Sequence, residues 1–339
     1  MTRPFLINLT LLGLAVLLSI GIGPVFIPPT TVARMLLDRL PGLTLTPDWP
    51  TSFASILFQV RLPHTALILL TGAALGGSGA AYQGLFRNPL ADPYLIGVAS
   101  GAALGAVFAL TVGWPTDMLG MYTLPASAFL GAIVTMTIVY GLARVGRSVP
   151  TTTLILAGVA FSAFATSLMS FLMLSANTEL RRALTWLLGG AIMAGWQPVA
   201  AMLPYEILGL GILLVSGHAL NVLQFGEEQA QQLGLPIERI KLLVIIAASI
   251  TTAGAVAFAG VIGFVGLIAP HVMRLLWGPD YRRLIPLSIL GGASTLLTAD
   301  MLARIVLAPQ TLPVGIVTAL AGAPFFLWLL RRARTQANW

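Results

Sequence analysis

Ten apolar runs, separated by short polar stretches, set the outline of this chain. They lie near residues 5–27, 64–84, 93–112, 122–143, 151–174, 198–219, 241–261, 263–277, 284–307 and 313–330. A hydrocarbon core about 30 Å thick is crossed by about 20 apolar residues in a helix. Backbone polar groups that face lipid must be satisfied inside their own segment, which helices achieve. Each run therefore reads as a transmembrane helix, the eighth being the shortest and interrupted by glycine. The polar breaks carry shorter elements. Residues 30–40 read as a short amphipathic helix outside the membrane, and ELRRALTWLL (179–188) as a helix at the interface, with Trp186 at headgroup level. No polar stretch is long enough to form a separate globular unit. The expected fold is all-α, a single polytopic membrane domain over residues 1–339 with ten spanning helices.

Composition makes lipid the solvent for this outline. Apolar residues are 57% of the 339 and charged residues only 9%, against roughly 25% charged in a soluble domain; mean hydropathy is +0.93. The formal charge of +7 then points to loops retained in the cytoplasm rather than to a nucleic-acid surface. With the N-terminus inside, Arg3, Arg87, Arg144, Arg147, Arg239, Lys241, Arg274, Arg282, Arg283, Arg331, Arg332 and Arg334 fall on the cytoplasmic side. Arg34, Arg39, Arg61, Arg181, Arg182 and Arg304 fall on the other, a bias of 12 against 6. Both termini are therefore expected in the cytoplasm. The N-terminal stretch MTRPFLINLTLLGLAVLLSIGIGPVFI has the basic start and apolar run of a signal peptide. No clear small-x-small cleavage site follows and the run is of spanning length, so it is expected to remain as the first helix.

Several chemistries are excluded by what is missing. The chain has no cysteine, which removes disulfides and thiolate metal sites, and its three histidines (His64, His218 and His271) lie far apart with no ligand spacing. No metal and no cofactor are expected. Lys241 is the only lysine, and no GxxxxGK[ST] segment occurs, so nothing here cradles a nucleotide phosphate. The chain is not expected to be an enzyme; if ATP drives it, the ATPase is another polypeptide.

Three polar stretches are candidate machinery. In QGLFRNPLADPYLIGVASGAALGA (83–106), Pro89 and Pro93 bias Asn88 and Asp92 away from helix, so the second span is expected to end near Phe86. Asp92 ahead of Pro93 reads as the N-cap of the third span. The hairpin NPLADP is then either a well-capped turn or a turn that forms a gate. Gly97, Gly101 and Gly105 make two overlapping GxxxG steps, which read as close helix packing. In FGEEQAQQLGLPIERIK (225–241), Glu227 and Glu228 suit the positive end of a first helical turn. Gly234 suits a left-handed C′ position and Pro236 blocks continuation. The product is a cytoplasmic helix over 227–233, too short to be stable alone, which needs a docking partner in this chain or another. In GVIGFVGLIAPHVMRLLWGPD (260–280), three glycines followed by Pro270 predict a bend or a break. Gly79 and Pro89 echo Gly260 and Pro270 on helices of opposite direction, which fits an inverted repeat. Ionisable residues inside the spans are chiefly Glu206, Asp300 and Arg304, the last two spaced to pair on one helix face. No chain of carboxylates or histidines crosses the bilayer, as a proton-coupled carrier would require.

Five segments carry a family resemblance. They are RLPHTALILLTGAALGGSGAAYQGLFRNPLADPYLIGVASGAALGA (61–106), LILAGVAFSA (154–163), GEEQAQQLGLP (226–236), GFVGLIAPHVMRLL (263–276) and LPVGIVTALAGAPFFLWLL (312–330). In this order they resemble the membrane-spanning permeases of type II ABC importers, the group that takes up vitamin B12, haem and ferric siderophores. The pattern is especially similar to the vitamin B12 permeases through 226–236 and the C-terminal third. The resemblance implies a homodimer in the inner membrane with a path along its axis. Two separate ABC ATPase subunits would sit beneath it and an extracytoplasmic substrate-binding protein outside. By motif position it makes Asn88, Leu90, Thr151 and Thr152 a cytoplasmic gate. It makes Gly226, Glu227, Glu228, Gln231, Leu233, Gly234, Leu235 and Pro236 the segment that couples to the ATPase. Arg61 and Arg304 match basic positions that meet acidic residues of the binding protein. His64 stands where the vitamin B12 pattern has a second arginine, so docking there is expected to be weaker or pH-dependent.

The expected function is therefore ATP-driven import of a corrinoid, haem or ferric siderophore, with a small oxyanion such as molybdate as a minor variant. From other classes, an ion- or proton-coupled secondary transporter and a membrane scaffold or receptor stand as alternatives.

Overall fold

A computed structural model describes residues 2–23, 25–39, 48–113, 120–146, 148–175, 180–191, 193–308 and 310–336. Arg147 and residue 40, which entered the expectations above, lie outside the described residues. The first half contains α1 (Arg3–Gly21), α2 (Pro29–Leu37), α3 (Thr51–Ser55), α4 (Leu62–Leu85), α5 (Val98–Val112), α6 (Thr123–Ala143) and α7 (Thr151–Ser175). The second contains α8 (Leu180–Leu187), α9 (Trp196–Val215), α10 (Gly217–Leu223), α11 (Glu227–Gln232), α12 (Ile237–Ala259), α13 (Val265–Trp277), α14 (Tyr281–Ile305) and α15 (Val314–Gln336). Among the described residues no strand forms, and the fold is an all-α polytopic membrane bundle. Among the described residues, seven helical stretches are long and apolar enough to cross a membrane, and α5, α13 and α15 are shorter apolar helices. Together they occupy the ten predicted runs, with α2 and α8 in the polar breaks.

Helix ends differ from the sequence reading where backbone chemistry intervenes. The second span is longer than expected, running from Thr51 to Leu85 through a π-helical turn at Ile56–Arg61. Pro63 lies in the first turn of α4, where a missing N–H is tolerated, and the π turn just before it absorbs the register change. The third span is shorter. Asp92 does accept the Tyr94 N–H at 2.8 Å, but this caps only one turn, and Gly97 at φ +83 ends that turn before α5 begins at Val98. Gly97 is thus left-handed and precedes α5, with its Cβ position 3.0 Å from the Thr135 methyl of α6. Gly101 and Gly105 form the packing face within α5. A Cβ on Gly101 would lie 2.5 Å from the Gly131 carbonyl oxygen, and one on Gly105 2.2 Å from that of Ser127. These contacts bring α5 and α6 together backbone to backbone. At the core of the bundle, α4 and α14 meet in the same way, through Gly76 and Gly292.

Trp186 corrects another expectation. It is buried, 3% exposed, and its carbonyl abuts Gly260, so its side chain faces protein and anchors α8 to the bundle. Ala183, one turn earlier on α8, is buried with it, while Arg181 and Arg182 face outward.

Two pairs of basic residues lie at opposite ends of α1. Thr2 and Phe5, at the start of α1, share a cleft with Asp280, Arg282 and Arg283, while Arg61 and Arg304 meet the other end of α1. Asp280 N-caps α14, accepting the Arg282 N–H at 3.0 Å, and Asn221 donates to it at 2.6 Å. The Arg282 guanidinium hydrogen-bonds the same carboxylate and is the main reason its pKa is held below the ordinary range. That contribution to stability is in place above an unfolded carboxylate's pKa of about 4 and is lost as pH falls through the depressed value. Asp280→Ala is expected to cost about 1 kcal/mol at pH 7. The loss, read from thermal unfolding in detergent, should shrink below about pH 4.

Candidate functional site

The segment after α4 and the first turn of α7 carry the four residues expected to form the gate. α4 closes with paired C-terminal bonds, from the Asn88 N–H to the Gln83 carbonyl at 3.1 Å and from the Arg87 N–H to that of Gly84 at 3.3 Å. Arg87 occupies the left-handed position at φ +49, where glycine is usual. The exposed Asn88 turns its side chain back to accept the Leu90 N–H at 3.0 Å, and Leu90 is half-buried. Thr151 and Thr152 open α7, half-buried and exposed respectively. No hydrogen bond joins the two pairs among the described residues. Further along, Gly158 of α7 packs against the carbonyl of Leu95.

The GEEQAQQLGLP stretch folds as the sequence indicates. α11 has Glu227 and Glu228 in its first turn. At its far end Gly234, φ +84, donates to the Gln231 carbonyl at 2.9 Å and Leu235 donates to that of Ala230 at 3.0 Å. This bonding pattern stops a helix when the C′ residue is left-handed. Gly226, at φ +109, precedes the helix, and Pro236 follows the stop as the N-cap of α12. Ala230 is the one buried residue of α11. Gln231 is exposed, as are Leu233 at 71% and Phe225 at 68%. Beside the helix a cavity of about 640 Å³ is lined by Glu227, Glu228, Gln231, Leu235, Pro236 and Glu238 among others.

At the opposite end, Arg61, His64 and Arg304 line a single cleft of about 550 Å³ with Asp300 and Thr185. The two arginines point into the protein. Arg61 donates to the carbonyls of Ile20 at 2.9 Å and Gly21 at 3.1 Å, and also to Val25. Arg304 donates to the carbonyl of Ser19 at 3.1 Å, that of Ile22 at 3.0 Å and the Ser19 hydroxyl at 2.9 Å. Both residues are under 10% exposed, at 5% and 9%. They satisfy carbonyls left unpaired at the C-terminus of α1 and place positive charge at its negative end. The predicted Asp300–Arg304 pair forms at 3.0 Å. His64 was not expected to join it, yet its Nε2 lies 3.0 Å from both Asp300 oxygens. A contact between residues 236 apart in sequence leaves no local signal.

The predicted break lies between α12 and α13. Gly260 and Phe264 both have positive φ, +68 and +69, and the backbone between them leaves the helical ladder. One hydroxyl repairs part of the loss: Tyr94 donates to the Ile262 carbonyl at 2.9 Å and accepts the Ile262 N–H at 3.2 Å. Irregular backbone at this depth is tolerated because protein satisfies it. Tyr94 had no motif to mark it. Glu206, on α9, is 2% exposed, and neither carboxylate oxygen has a hydrogen-bond partner among the described residues. No cluster of three metal-ligating side chains occurs among the described residues.

Residues 11–332 match the FecCD transport family. The chain belongs to that family. It is 42% identical to the uncharacterized ABC transporter permease protein YvrB of Bacillus subtilis, over 97% of this chain and 93% of that protein. It is 41% identical to the cobalamin import system permease protein BtuC of Halobacterium salinarum, with 88% and 80% covered. It is also 41% identical to the hemin transport system permease protein HmuU of Yersinia pestis, with 84% and 85% covered. In structure it is similar to an inward-facing conformation of a metal-chelate type ABC transporter, at TM-score 0.81 and 32% identity, covering 97% of this chain and 98% of the other. As a FecCD protein it is a permease subunit of an ABC importer and a multi-pass protein of the cell's inner membrane.

Proposed function

We propose that two copies of this chain, each a single permease domain, form the path by which a metal chelate passes from a binding protein to the cytoplasm. The chelate is a corrinoid, haem or ferric siderophore, and ATP is hydrolysed in two separate ATPase subunits. The observation that carries the reading is α11. A six-residue helix, closed at its C-terminal end by Gly234 and Leu235, holds Leu233 71% exposed beyond the spanning helices. So short a helix gains its stability from docking, and an exposed leucine beside a polar groove fits a protein partner. Gly226 through Pro236 are thus the ATPase contact. Asn88 and Leu90, with Thr151 and Thr152, form the gate at the same membrane face. The outer cleft receives the binding protein, with half-buried His64 at its rim and Arg61 and Arg304 fixing its floor.

Relatives named for cobalamin and for hemin are equally identical to this chain, which supports a large metal chelate without choosing between them. The test is ATP-driven uptake by proteoliposomes holding this chain, its ATPase and its binding protein, offered cobalamin, haem or a ferric siderophore. One chelate should accumulate. Gly234→Pro should reduce uptake at least about tenfold, because proline neither adopts positive φ nor donates the N–H used here. Failure to accumulate any of the three overturns the substrate class.

A further inference from the structure

The only lysine of the chain joins the ATPase-facing helix to the gate segment. Lys241 lies in the second turn of α12, its side chain 4% exposed. Its ammonium is 2.7 Å from the Glu227 carboxylate, at the start of α11, and 3.5 Å from that of Glu238. It also donates to the Val149 carbonyl at 3.3 Å. The other Glu238 oxygen accepts the Val149 N–H at 3.1 Å. Both backbone polar groups of Val149 are thereby held from α12, and Val149 is itself buried at 3%. Two residues later Thr151 begins α7.

We infer that Lys241 is a positioning residue that transmits displacement of α11 to the N-terminus of α7, and so to the gate. The inference rests on the reading of α11 as the ATPase contact and of Thr151 and Thr152 as gate residues. Its physical basis is the unequal burial of the charges. The two carboxylates are about 40% exposed, at 40% and 38%, and can exchange this partner for water. The ammonium cannot, because a buried charge must stay paired. Movement of Glu227 therefore draws Lys241 with it or leaves a buried cation short of its nearest anion. The remaining bonds of Lys241 run to Val149 and Glu238, so that load falls on the segment leading into α7. A cation on a flexible stem suits the task, since it can keep three acceptors through small shifts.

The absence of cysteine from the chain makes a labelling test clean. Spin labels are placed singly at Gln231→Cys, on the exposed face of α11, and at Thr152→Cys, in otherwise unaltered protein and with Lys241→Met or Lys241→Arg. Each is assembled with the ATPase subunits, and spectra are recorded with and without ATP. In the unaltered background both labels should respond to ATP. With Lys241→Met the label at 231 should still respond to the ATPase and to ATP, the response at 152 should be lost, and substrate moved per ATP hydrolysed should fall about tenfold. Lys241→Arg should restore most of both. An unchanged response at 152 and an unchanged transport ratio in Lys241→Met would overturn the inference while leaving α11 as the ATPase contact. So would loss of the signal at 231, which would make Lys241 a support for docking alone. Silence of the 231 label in the unaltered background would remove the ATPase-contact reading and this inference together.

Discussion

Gly79→Val should abolish accumulation of folded protein, and Gly79→Ala should destabilise it by about 3 kcal/mol, the upper end of what overpacking commonly costs. A Cβ at this position falls 1.8 Å from the Gly266 carbonyl oxygen, 2.6 Å from its carbon and 2.8 Å from its Cα. All three are backbone atoms, so no rotamer change can make room. From the other side, a Cβ on Gly266 would meet the Pro93 ring at 2.6 Å and the Leu75 carbonyl oxygen of α4 at 2.9 Å. Relief requires α13 to move away from α4, which also carries the 260–264 break away from the residues that satisfy it. Against a total stability of about 5–15 kcal/mol, that loss is large. Gly141→Ala is the control. Nothing lies within 4 Å of its Cβ position and it sits inside α6, so alanine there should be neutral or stabilise by up to about 1 kcal/mol. Heating detergent-solubilised variants and following the monodisperse peak by size exclusion measures both. If Gly79→Ala and Gly141→Ala melt together, the close approach of α4 and α13 is wrong.

This contact also shows what the sequence can and cannot tell. The glycine echo at 79 and 260 was legible, and so was a break after Gly260. That Gly79 packs on Gly266 was not, because both flanking stretches read only as small residues in apolar runs. Spans were recovered because lipid imposes length and apolarity on each one separately. Helix ends depart from the sequence pattern where local backbone rules compete: Pro93 and Asp92 signal a helix start, but Gly97 defers it to Val98, and Pro63 signals a boundary that a π turn bridges. α11 was read nearly to the residue, since Gly234 and Pro236 act through local backbone geometry alone. The charged sites were read by type and not by partner. Lys241 looked like one more cytoplasmic cation until folding set it between Glu227 and Val149. Trp186 had the composition of an interfacial aromatic, and only the packing of α8 on Gly260 shows that it is buried.

The other large effect concerns the outer cleft, where one side chain is asked to serve both structure and docking. Arg304→Met should cost about 3–5 kcal/mol, the usual penalty for breaking a buried pair from one side. Asp300, 4% exposed, would keep only half-buried His64 as a partner, and the carbonyls of Ser19 and Ile22 would lose a charged donor at the end of α1. Adding Asp300→Leu should recover part of the loss, since the stranded carboxylate is then gone. Recovery should be incomplete, because the α1 carbonyls remain unpaired. Arg181→Ala on the exposed face of α8 should fall within about 0.5 kcal/mol of the parent. Measuring binding-protein affinity on the same samples separates the two roles. If Arg304 acts chiefly by meeting an acidic partner, Arg304→Met will weaken docking and leave the melting temperature unchanged. The inward-turned guanidinium requires the reverse order: a large fall in melting temperature for Arg304→Met, partial rescue by Asp300→Leu, and a docking defect that follows the loss of folded cleft.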